Sequence, residues 1–488
     1  MTEYQMLIDG AEVNAISGER FETENPYNGE VWATLPRAGV DDVNRAVEAA
    51  HAAFTNGPWR TMSASERGRL LRKIADLLPT QHAKLSEIET RDNGKLIHDT
   101  RYQTAYVAQL YEYFAGLADK IEGNVVPIDR PGILTYTQYE PVGVVAVITP
   151  WNSPLPIAAG KVANALAAGC TVVIKPSEFT SASILEFVKL FEQAGFPPGV
   201  VNVVTGMGGE IGEALVTHPK VKKITFTGGT ETGRHINTLA AASLKKVVLE
   251  LGGKSPNIVF ADADIEKAVR GAIAGIFSSS GQTCVAGSRL LLQDSIHDAF
   301  VERLLQLTSG LKLGDPFDPD TQIGPITTRP QFERVVNLLD VARKDGARCV
   351  LGGEALSGPG QLVKPTIYVD VQSGMHIAQQ EVFGPVLSII RFKDEEEAVR
   401  LANDTMYGLA SGVWTSDMSR AIRMTNAIDA GCVWINMYRA ASFMMPFTGH
   451  KQSGLGSENG QRNIMNYLEP KSIWINYGAD ITVPFLKE

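Results

Sequence analysis

Five short apolar runs alternate with amphipathic stretches between residues 141 and 252, and this alternation constrains the fold more than any other feature of the chain. The runs are VGVVAVI (142–148), TVVIK (171–175), VVNVV (200–204), KKITFTG (222–228) and VVLELG (247–252). Strands that are apolar throughout and separated by helices form a parallel sheet with helices on both faces. The sequence therefore predicts an α/β fold class with a Rossmann-like parallel sheet.

Helical patterns occur between these strands and before them. Between the strands, helices are predicted at 158–169, 181–195, 209–216 and from Glu231 onward. Upstream, Asp41 is expected to cap one helix, and Ser63 with Glu66 forms the capping box of a second. A third helix is predicted at about 100–119. Residues 1–35 are expected to form short strands with turns at Asp9-Gly10 and Asn28-Gly29, and a second α/β segment is expected after residue 253.

Polar and glycine residues follow the predicted strands at their carboxyl ends. The segments are Thr149-Pro150-Trp151-Asn152, Lys175-Pro176-Ser177-Glu178, Thr227-Gly228-Gly229 and Glu250. Because parallel α/β sheets bind ligands at the carboxyl ends of their strands, these segments are expected to meet in one site.

Length and charge limit the functional class. A chain of 488 residues exceeds one hydrophobic core, so two or three domains are expected. A net charge of −9 disfavours nucleic acid and anionic membranes as partners, and the chain has no apolar run of membrane-spanning length. The four cysteines are far apart, which indicates neither a disulfide framework nor a metal site. The N-terminus resembles no signal peptide, so we expect a cytoplasmic protein.

One of these cysteines stands out as a candidate nucleophile. Cys284 lies in the glycine-flanked segment SSSGQTCVAGSR (278–289), whereas Cys170, Cys349 and Cys432 adjoin apolar strands, where a free cysteine is commonly a small buried hydrophobe. Glu250 lies beside another glycine pair in VLELGGKSP. A thiol and a carboxylate within reach of each other could support covalent catalysis followed by hydrolysis. Spacing alone does not establish that they meet.

The paired segments ELGGKSP and GQTC resemble the signature of the aldehyde dehydrogenase superfamily. Further matching segments follow in the family's order: TPWNSPL (149–155), VVIKPSE (172–178), FTGGTETGR (226–234), EVFGPV (381–386) and PFTGHKQSG (446–454). The resemblance implies three parts. These are an NAD-binding domain (1–122 and 142–252), a catalytic domain (253–451), and segments (123–141 and 452–488) that form a small sheet joining subunits into homodimers or homotetramers.

The resemblance also assigns chemistry to individual residues. Cys284 would attack the aldehyde carbon, and the side-chain amide of Asn152 with the backbone N–H of Cys284 would hold the resulting oxyanion. Glu250 would activate water to hydrolyse the thioester, since a carboxylate in an apolar strand end has a raised pKa. Lys161 and Glu458 match positions that assist proton movement.

The cofactor segments differ from the common dinucleotide fingerprint, because G-x-G-x-x-G is absent. Gly228 and Gly233 are instead expected to let a diphosphate approach the next helix N-terminus. By resemblance, Lys175 and Glu178 contact the adenosine ribose, which favours NAD over NADP. Glu381 and Phe383 match the pair at the nicotinamide. The remaining cofactor candidates are Thr149, Pro150, Trp151, Ser177, Gly208, Gly229, Thr232, Leu251 and Gly252.

Departures from the family pattern bear on the substrate. Many relatives have Phe where this chain has Ser153, and several have Trp where it has Gly160. Both exchanges remove bulk from the expected tunnel. The other expected tunnel residues are Thr283, Val285, Tyr113 or Phe114, Phe443, Met444 and Met445. A bulky apolar, aromatic, cyclic or terpenoid aldehyde is therefore the predicted substrate. Ser457, where many relatives have Arg, is expected to loosen a contact between subunits or to the cofactor site.

Two other functions are consistent with the fold. A CoA-acylating semialdehyde dehydrogenase would transfer the acyl group to CoA rather than to water, but such relatives generally lack the glutamate found at position 250. A non-catalytic binding or structural protein is the second alternative, and the joint presence of Asn152, Glu250 and Cys284 argues against it.

Overall fold

The computed structural model describes residues 1–358, 360–481 and 485, and its strands form two large sheets and several small ones. The strands are β1 (Thr2–Glu3), β2 (Met6–Ile8), β3 (Ala11–Val13), β4 (Arg20–Glu24), β5 (Val31–Pro36), β6 (Ile133–Pro141), β7 (Val144–Ile148), β8 (Thr171–Lys175), β9 (Val201–Val203), β10 (Val221–Thr227), β11 (Lys246–Glu250), β12 (Pro256–Val259), β13 (Arg289–Gln293), β14 (Arg348–Leu351), β15 (Thr366–Val369), β16 (Val386–Phe392), β17 (Tyr407–Gly408), β18 (Ala410–Trp414), β19 (Cys432–Ile435), β20 (His450–Lys451), β21 (Gly454–Leu455) and β22 (Leu468–Asn476).

Helices cover both large sheets. They are α1 (Val40–Thr55), α2 (Pro58–Thr61), α3 (Ala64–Asn93), α4 (Ile97–Leu117), α5 (Pro154–Ala168), α6 (Ala182–Ala194), α7 (Gly208–Thr217), α8 (Thr230–Ala241), α9 (Ile265–Phe277), α10 (His297–Thr308), α11 (Arg329–Lys344), α12 (His376–Gln379), α13 (Glu395–Asn403) and α14 (Met418–Ala427). Three segments are 3-10 helices: Ser278–Gly281, Asp294–Ile296 and Gln461–Tyr467.

The first large sheet contains all five strands predicted between residues 141 and 252. Its order is β21-β11-β10-β7-β8-β9-β2-β3, and β11, β10, β7, β8 and β9 are mutually parallel. β7 and β8 are buried along their whole length, as expected for strands with helices on both faces. The expected α/β fold with a Rossmann-like parallel sheet is confirmed.

The helix starts test two sequence predictions. Ser63 and Glu66 do form a capping box at the start of α3. The prediction that Asp41 caps α1 is wrong, because α1 begins at Val40 and its N-cap is Gly39. The neighbouring Asp42 carboxylate accepts the Gly39 N–H at 2.9 Å instead. Asp41 remains in the first turn, where a negative charge favours the helix dipole.

The second large sheet has the order β14-β15-β16-β13-β12-β18-β19, with β14 antiparallel to β15 and the other pairs parallel. The segment carrying Cys284 connects α9, through the 3-10 turn Ser278–Gly281, to β13 in this sheet. The site therefore lies where one sheet presents β11 and the other presents the loop before β13.

The C-terminal region is divided between two sheets. Gly454–Leu455 pairs antiparallel with β11, so that Glu250 lies opposite Gly454. Leu468–Asn476 pairs antiparallel with Ile133–Pro141 to form a separate two-stranded sheet. Residues 482–484 and 486–488 of the expected oligomerisation segment lie outside the described residues. Among the helices that are described, none is both long and apolar enough to cross a membrane.

Candidate active site

Glycine residues hold the loop of Cys284 close to its surroundings. A Cβ on Gly253, which follows β11, would lie 2.4 Å from the Cys284 carbonyl oxygen. Gly281 has a φ of +72°, and a Cβ there would lie 2.0 Å from the Gly384 carbonyl oxygen. Both approaches require a residue without a side chain. Cys284 itself is half-buried in this loop.

The surroundings of the thiol favour its protonated form. Burial, reinforced by the Glu250 and Glu381 carboxylates, raises the pKa of Cys284 to about 12. The Arg439 guanidinium opposes this shift. A thiol in this state needs a proton acceptor, or added positive charge, before it becomes nucleophilic.

Asn152 connects the end of β7 to the cysteine loop. Its side-chain nitrogen donates to the Gln282 carbonyl oxygen at 2.9 Å, two residues before Cys284. Asn152 is 9% exposed and borders the same cavity as Cys284. Since a side-chain amide has two N–H donors, one remains for an oxygen bound at the thiol.

Glu250 ends β11 as a buried carboxyl group. It is 4% exposed, and within the described part of the chain neither of its oxygens has a hydrogen-bond partner. Burial and the nearby Glu458 carboxylate raise the pKa of Glu250 well above its usual range, while the Lys161 ammonium lowers it. An orphaned buried carboxyl group is costly to keep and is therefore a candidate for chemistry.

Lys161 and Glu458 form an ion pair near Glu250 although they are far apart in sequence. Lys161 lies on α5 and its side chain is 1% exposed, whereas Glu458 follows β21. Thr225 on β10 accepts from Lys161 Nζ at 3.0 Å and donates to Glu458 Oε1 at 3.2 Å. The structure thus brings both sequence candidates together and adds Thr225 between them.

A cavity of about 610 Å³ extends from Cys284 over the end of the first sheet. Its sequence-predicted lining residues are Pro150, Trp151, Asn152, Gly228, Gly229, Thr232, Leu251, Gly252, Cys284, Glu381 and Phe383. The rings of Trp151 and Phe383 pack edge to face at 5.3 Å. The N-terminus of α8 opens into this cavity, and its backbone N–H groups suit an anion. Gly233 lies on α8 close to Leu251, since a Cβ there would lie 2.4 Å from Leu251 Cδ2.

A second cluster lies outside this cavity, at the end of β8. Lys175 Nζ lies 3.7 Å from Glu178 Oε2, and Glu178 Oε1 accepts the Gly208 N–H at 3.4 Å. Thr149 joins them through its N–H, which donates to the Lys175 carbonyl oxygen at 3.2 Å. Burial lowers the pKa of Lys175, opposed by Glu178. Ser177 is also buried here.

Glu381 connects the two large sheets at the cavity. Its Oε1 accepts the Gly253 N–H at 2.9 Å, and a Cβ on Gly252 would lie 2.5 Å from its Oε2. Burial raises the pKa of Glu381 to about 7. Gly252 and Gly253 therefore lie between the Glu381 carboxylate and the cysteine loop.

The expected tunnel residues differ in how deeply they are buried. Ser153, Gly160, Thr283 and Val285 are half-buried, and a Cβ on Gly160 would meet Leu110 at 3.6 Å. Phe443 packs between Tyr106 and Tyr113, with ring centroids 5.0 Å and 5.2 Å away. Phe114 is fully buried, so Tyr113 is the residue of that pair able to contact a ligand. Met444 and Met445 are exposed.

Several cavity residues were not predicted from the sequence. Gln331 and Arg334 on α11 border the cavity, and Gln331 Nε2 donates to the Val382 carbonyl oxygen at 2.8 Å. Tyr407 borders it as well. In the sequence, α11 has the polar pattern of an ordinary surface helix, so no local signal distinguishes these side chains. Among the residues described, no group of three or more His, Cys, Asp or Glu side chains could hold a metal ion.

Comparison with known proteins identifies relatives along the whole chain. The sequence profile described as the aldehyde dehydrogenase family matches residues 13–473. A (Z)-2-((N-methylformamido)methylene)-5-hydroxybutyrolactone dehydrogenase from Acinetobacter baylyi is 49% identical, with 97% of each chain covered.

Two solved structures are similar throughout. An NAD⁺ complex of an aldehyde dehydrogenase from Bacillus cereus has a TM-score of 0.96 at 43% identity, covering 98% of this chain and 97% of that one. A betaine aldehyde dehydrogenase from Staphylococcus aureus in complex with NAD⁺ has a TM-score of 0.97 at 39% identity, covering 99% and 96%.

Proposed function

Because the chain belongs to the aldehyde dehydrogenase family and is an NAD-dependent aldehyde dehydrogenase, we propose that it oxidises a bulky aldehyde to the carboxylic acid through a thioester on Cys284. The observation that carries this proposal is the position of Cys284. Cys284 and Asn152 both border the cavity formed by the cofactor segments, and the charge of Glu250 raises the pKa of Cys284.

The residues of the cavity fit NAD. The α8 N-terminus and Gly228-Gly229 suit the diphosphate, Trp151 and Phe383 offer apolar faces to the nicotinamide, and Glu381 provides acceptors for ribose hydroxyls. When bound, NAD⁺ supplies the hydride acceptor that no side chain provides. At the end of β8, Glu178 would accept from ribose hydroxyls and would repel a 2′-phosphate, which supports NAD over NADP.

The first half of the reaction takes place at Cys284. Its thiol loses a proton to a nearby base. Glu250 is the proposed base, because among the carboxylates it raises the pKa of Cys284 the most. The thiolate then attacks the aldehyde carbon, and the oxyanion is held by the free N–H of Asn152 and the backbone N–H of Cys284. Donors of this kind are each worth about 3–4 kcal/mol in the transition state. Oxidation of this adduct leaves a thioester on Cys284.

The second half is hydrolysis. Once the first proton has left it, Glu250 takes a proton from water as the water attacks the thioester. The C–S bond breaks, the carboxylic acid is released, and the leaving thiolate takes that proton back from Glu250 to restore the thiol. The raised pKa of Glu250 makes it a stronger base than an ordinary carboxylate. The Lys161–Thr225–Glu458 cluster beside Glu250 offers a route for the proton to leave the buried site.

The proposed substrate is a bulky apolar, aromatic, cyclic or terpenoid aldehyde. Ser153 and Gly160 are small, and the aromatic side chains of Tyr106, Tyr113 and Phe443 pack together nearby. The relative from Acinetobacter baylyi is named for a butyrolactone, which is a ring compound. This name supports a cyclic substrate for the present chain.

The proposal extends to organisation and location. We place the NAD-binding domain at 1–122 and 142–252 and the catalytic domain at 253–451. The exposed two-stranded sheet of β6 and β22 supports a subunit contact in a homodimer or homotetramer, because Trp474 and Ile475 on it are 60% and 43% exposed. A cytoplasmic location is proposed from the four cysteines, all of which are free.

The test measures NADH formation across aliphatic, aromatic, terpenoid, semialdehyde and amino-aldehyde substrates, with NAD or NADP and with or without CoA. The native protein is compared with Cys284→Ala and with Cys432→Ala as a matched control. Turnover of bulky aldehydes that disappears only in Cys284→Ala, without dependence on CoA, is the expected result. Activity confined to small charged aldehydes would refute the substrate proposal, and CoA dependence would refute hydrolysis.

A further inference from the structure

Lys95 is a buried cation next to the cysteine loop. It lies between α3 and α4 and is 8% exposed. Its ammonium group donates to Ser153 Oγ at 2.6 Å and to Gln103 Oε1 at 3.2 Å. Both partners are neutral, and an ammonium group has three donors.

Lys95 has no ion pair among the residues that the structure describes. The carboxylates that act on it, Glu89 and Asp99, lie beyond ion-pairing distance. Glu89 is itself 1% exposed, and burial raises its pKa to about 7, so it balances the ammonium only in part near neutral pH. Buried charges are normally paired. The positive charge of Lys95 is therefore incompletely compensated within the chain.

Ser153 accepts a hydrogen bond from this ammonium group. It lies next to Asn152 and is half-buried. Within the described residues its own hydroxyl proton has no acceptor in hydrogen-bond distance. A hydroxyl that accepts from an ammonium group becomes a stronger donor, because successive hydrogen bonds polarise one another.

Arg439 adds a second positive charge on this side of the loop. Its guanidinium donates to the carbonyl oxygens of Ser278 at 3.1 Å and Ala274 at 3.3 Å. Ion pairs of Arg439 are absent from the described part of the chain, and Asp99 is the acidic group that acts on it most strongly. Lys95 and Arg439 thus both lie beside the cysteine loop, and among the described residues no directly contacting carboxylate neutralises either one.

We propose that Ser153 and Lys95 form a subsite that binds an oxygen acceptor, a carboxylate or a carbonyl, carried by the aldehyde close to its reacting carbon. Ser153 donates the hydrogen bond and Lys95 supplies the charge. This inference rests on the proposed function, since it needs the aldehyde carbon at Cys284 beside Asn152. It adds one polar contact to an otherwise apolar substrate site and makes Ser153 and Lys95 determinants of specificity.

The test compares substrates that differ only in the acceptor. Benzaldehyde has none, the ortho, meta and para formylbenzoates carry a carboxylate, and their methyl esters carry a neutral carbonyl. Steady-state kcat/KM is measured for the native protein, Ser153→Ala, Lys95→Met and Lys95→Arg. Lys84→Met and Ser65→Ala, both exposed on α3, are matched controls.

The native protein is expected to prefer at least one formylbenzoate over benzaldehyde by about 10-fold or more. Ser153→Ala should lower kcat/KM for that acid and for its ester by about 10-fold more than it lowers kcat/KM for benzaldehyde. Lys95→Met should lower kcat/KM more for the acid than for the ester, and Lys95→Arg should restore part of the preference for the acid.

An equal loss on all substrates in both variants would overturn the inference, because it would mean that the pair supports Cys284 and Asn152 rather than binding substrate. A native preference for benzaldehyde over every formylbenzoate and ester would overturn it as well. The thermal transition of Lys95→Met shows whether this variant folds. If it does not fold, the inference is tested by the kcat/KM values of the native protein, Ser153→Ala and Lys95→Arg. Failure of the native protein to oxidise any aldehyde would instead refute the proposed function.

Discussion

Replacing Gly253 with alanine tests whether the position of the cysteine loop determines the rate. The new Cβ would lie 2.4 Å from the Cys284 carbonyl oxygen, a backbone atom, and 3.3 Å from Leu409 Cβ. Restoring an ordinary contact of about 3.4 Å requires the loop to move by about 1 Å. A displacement of this size at a reacting group costs about 100-fold in rate, and overpacking should lower the free energy of unfolding by about 1–3 kcal/mol.

The adjacent glycine provides a sharp comparison. A Cβ on Gly252 would lie 2.5 Å from Glu381 Oε2, which is the end of a flexible side chain and can rotate away. Gly252→Ala is therefore expected to raise the KM for NAD several-fold, in the range of a lost hydrogen bond, and to change kcat less than Gly253→Ala does. Gly116→Ala on the exposed face of α4, where a Cβ meets nothing within 4 Å, is the control for the substitution itself.

The assay combines steady-state kinetics for NAD and aldehyde, the rate of Cys284 alkylation by iodoacetamide, and thermal unfolding. A folded Gly253→Ala protein with kcat within about threefold of the native value would refute the reasoning, because the loop would then tolerate a shift that should misplace the thiol. A kcat loss in Gly252→Ala as large as in Gly253→Ala would refute the distinction between backbone and side-chain contacts.

Three further predictions concern single side chains. Asn152→Ala should lower kcat by about 100-fold or more, because it removes an oxyanion donor, while iodoacetamide still alkylates Cys284; unchanged kcat would exclude that role. Glu250→Gln should lose about 100-fold or more in activity. Because burial raises the folded-state pKa of Glu250, the native carboxyl contributes its full stability below its ordinary pKa and loses it as pH rises through the raised value. The amide should therefore raise Tm relative to the native protein at alkaline but not acidic pH, and a difference only at acidic pH would contradict this sign. Glu178→Gln should shift the NADP-to-NAD ratio of kcat/KM toward NADP by about 10-fold, since Lys175 at 3.7 Å loses its counter-charge; an unchanged ratio would place the selectivity elsewhere.

The strands between residues 141 and 252 were predictable because each is mostly apolar and bounded by a clear break. β8 matches the prediction at both ends, since Cys170 precedes it and Pro176 follows it. The start of α1 was not resolved correctly, because two adjacent carboxylates, Asp41 and Asp42, are equally suited to cap a helix. Only the backbone geometry, with Gly39 as the N-cap, decides between them.

The candidate site was likewise predictable only in part. Segments that follow β7, β10 and β11 border one cavity, as expected for the carboxyl ends of parallel strands, whereas Lys175 and Glu178 at the end of β8 form a separate cluster. The contacts of Gln331 with Val382 and of Lys95 with Ser153 could not be predicted, since they depend on how distant parts of the chain pack together. The position of Thr225 between Lys161 and Glu458 could not be predicted from the sequence either. It follows from the pairing of β10 and from the course of the chain after β21.

The short strand β21 has a consequence for synthesis. The ribosome completes β11 long before it makes Gly454, so the outer edge of that strand stays open while residues 251–453 are made. An open edge is a template for pairing with other chains. A nascent or truncated chain ending before residue 454 would already contain Cys284 and Asn152, yet it would leave the edge of β11 unpaired and lack Glu458, whose charge helps to raise the pKa of Glu250. The same C-terminal region thus closes the edge of β11 and brings Glu458 close to the base.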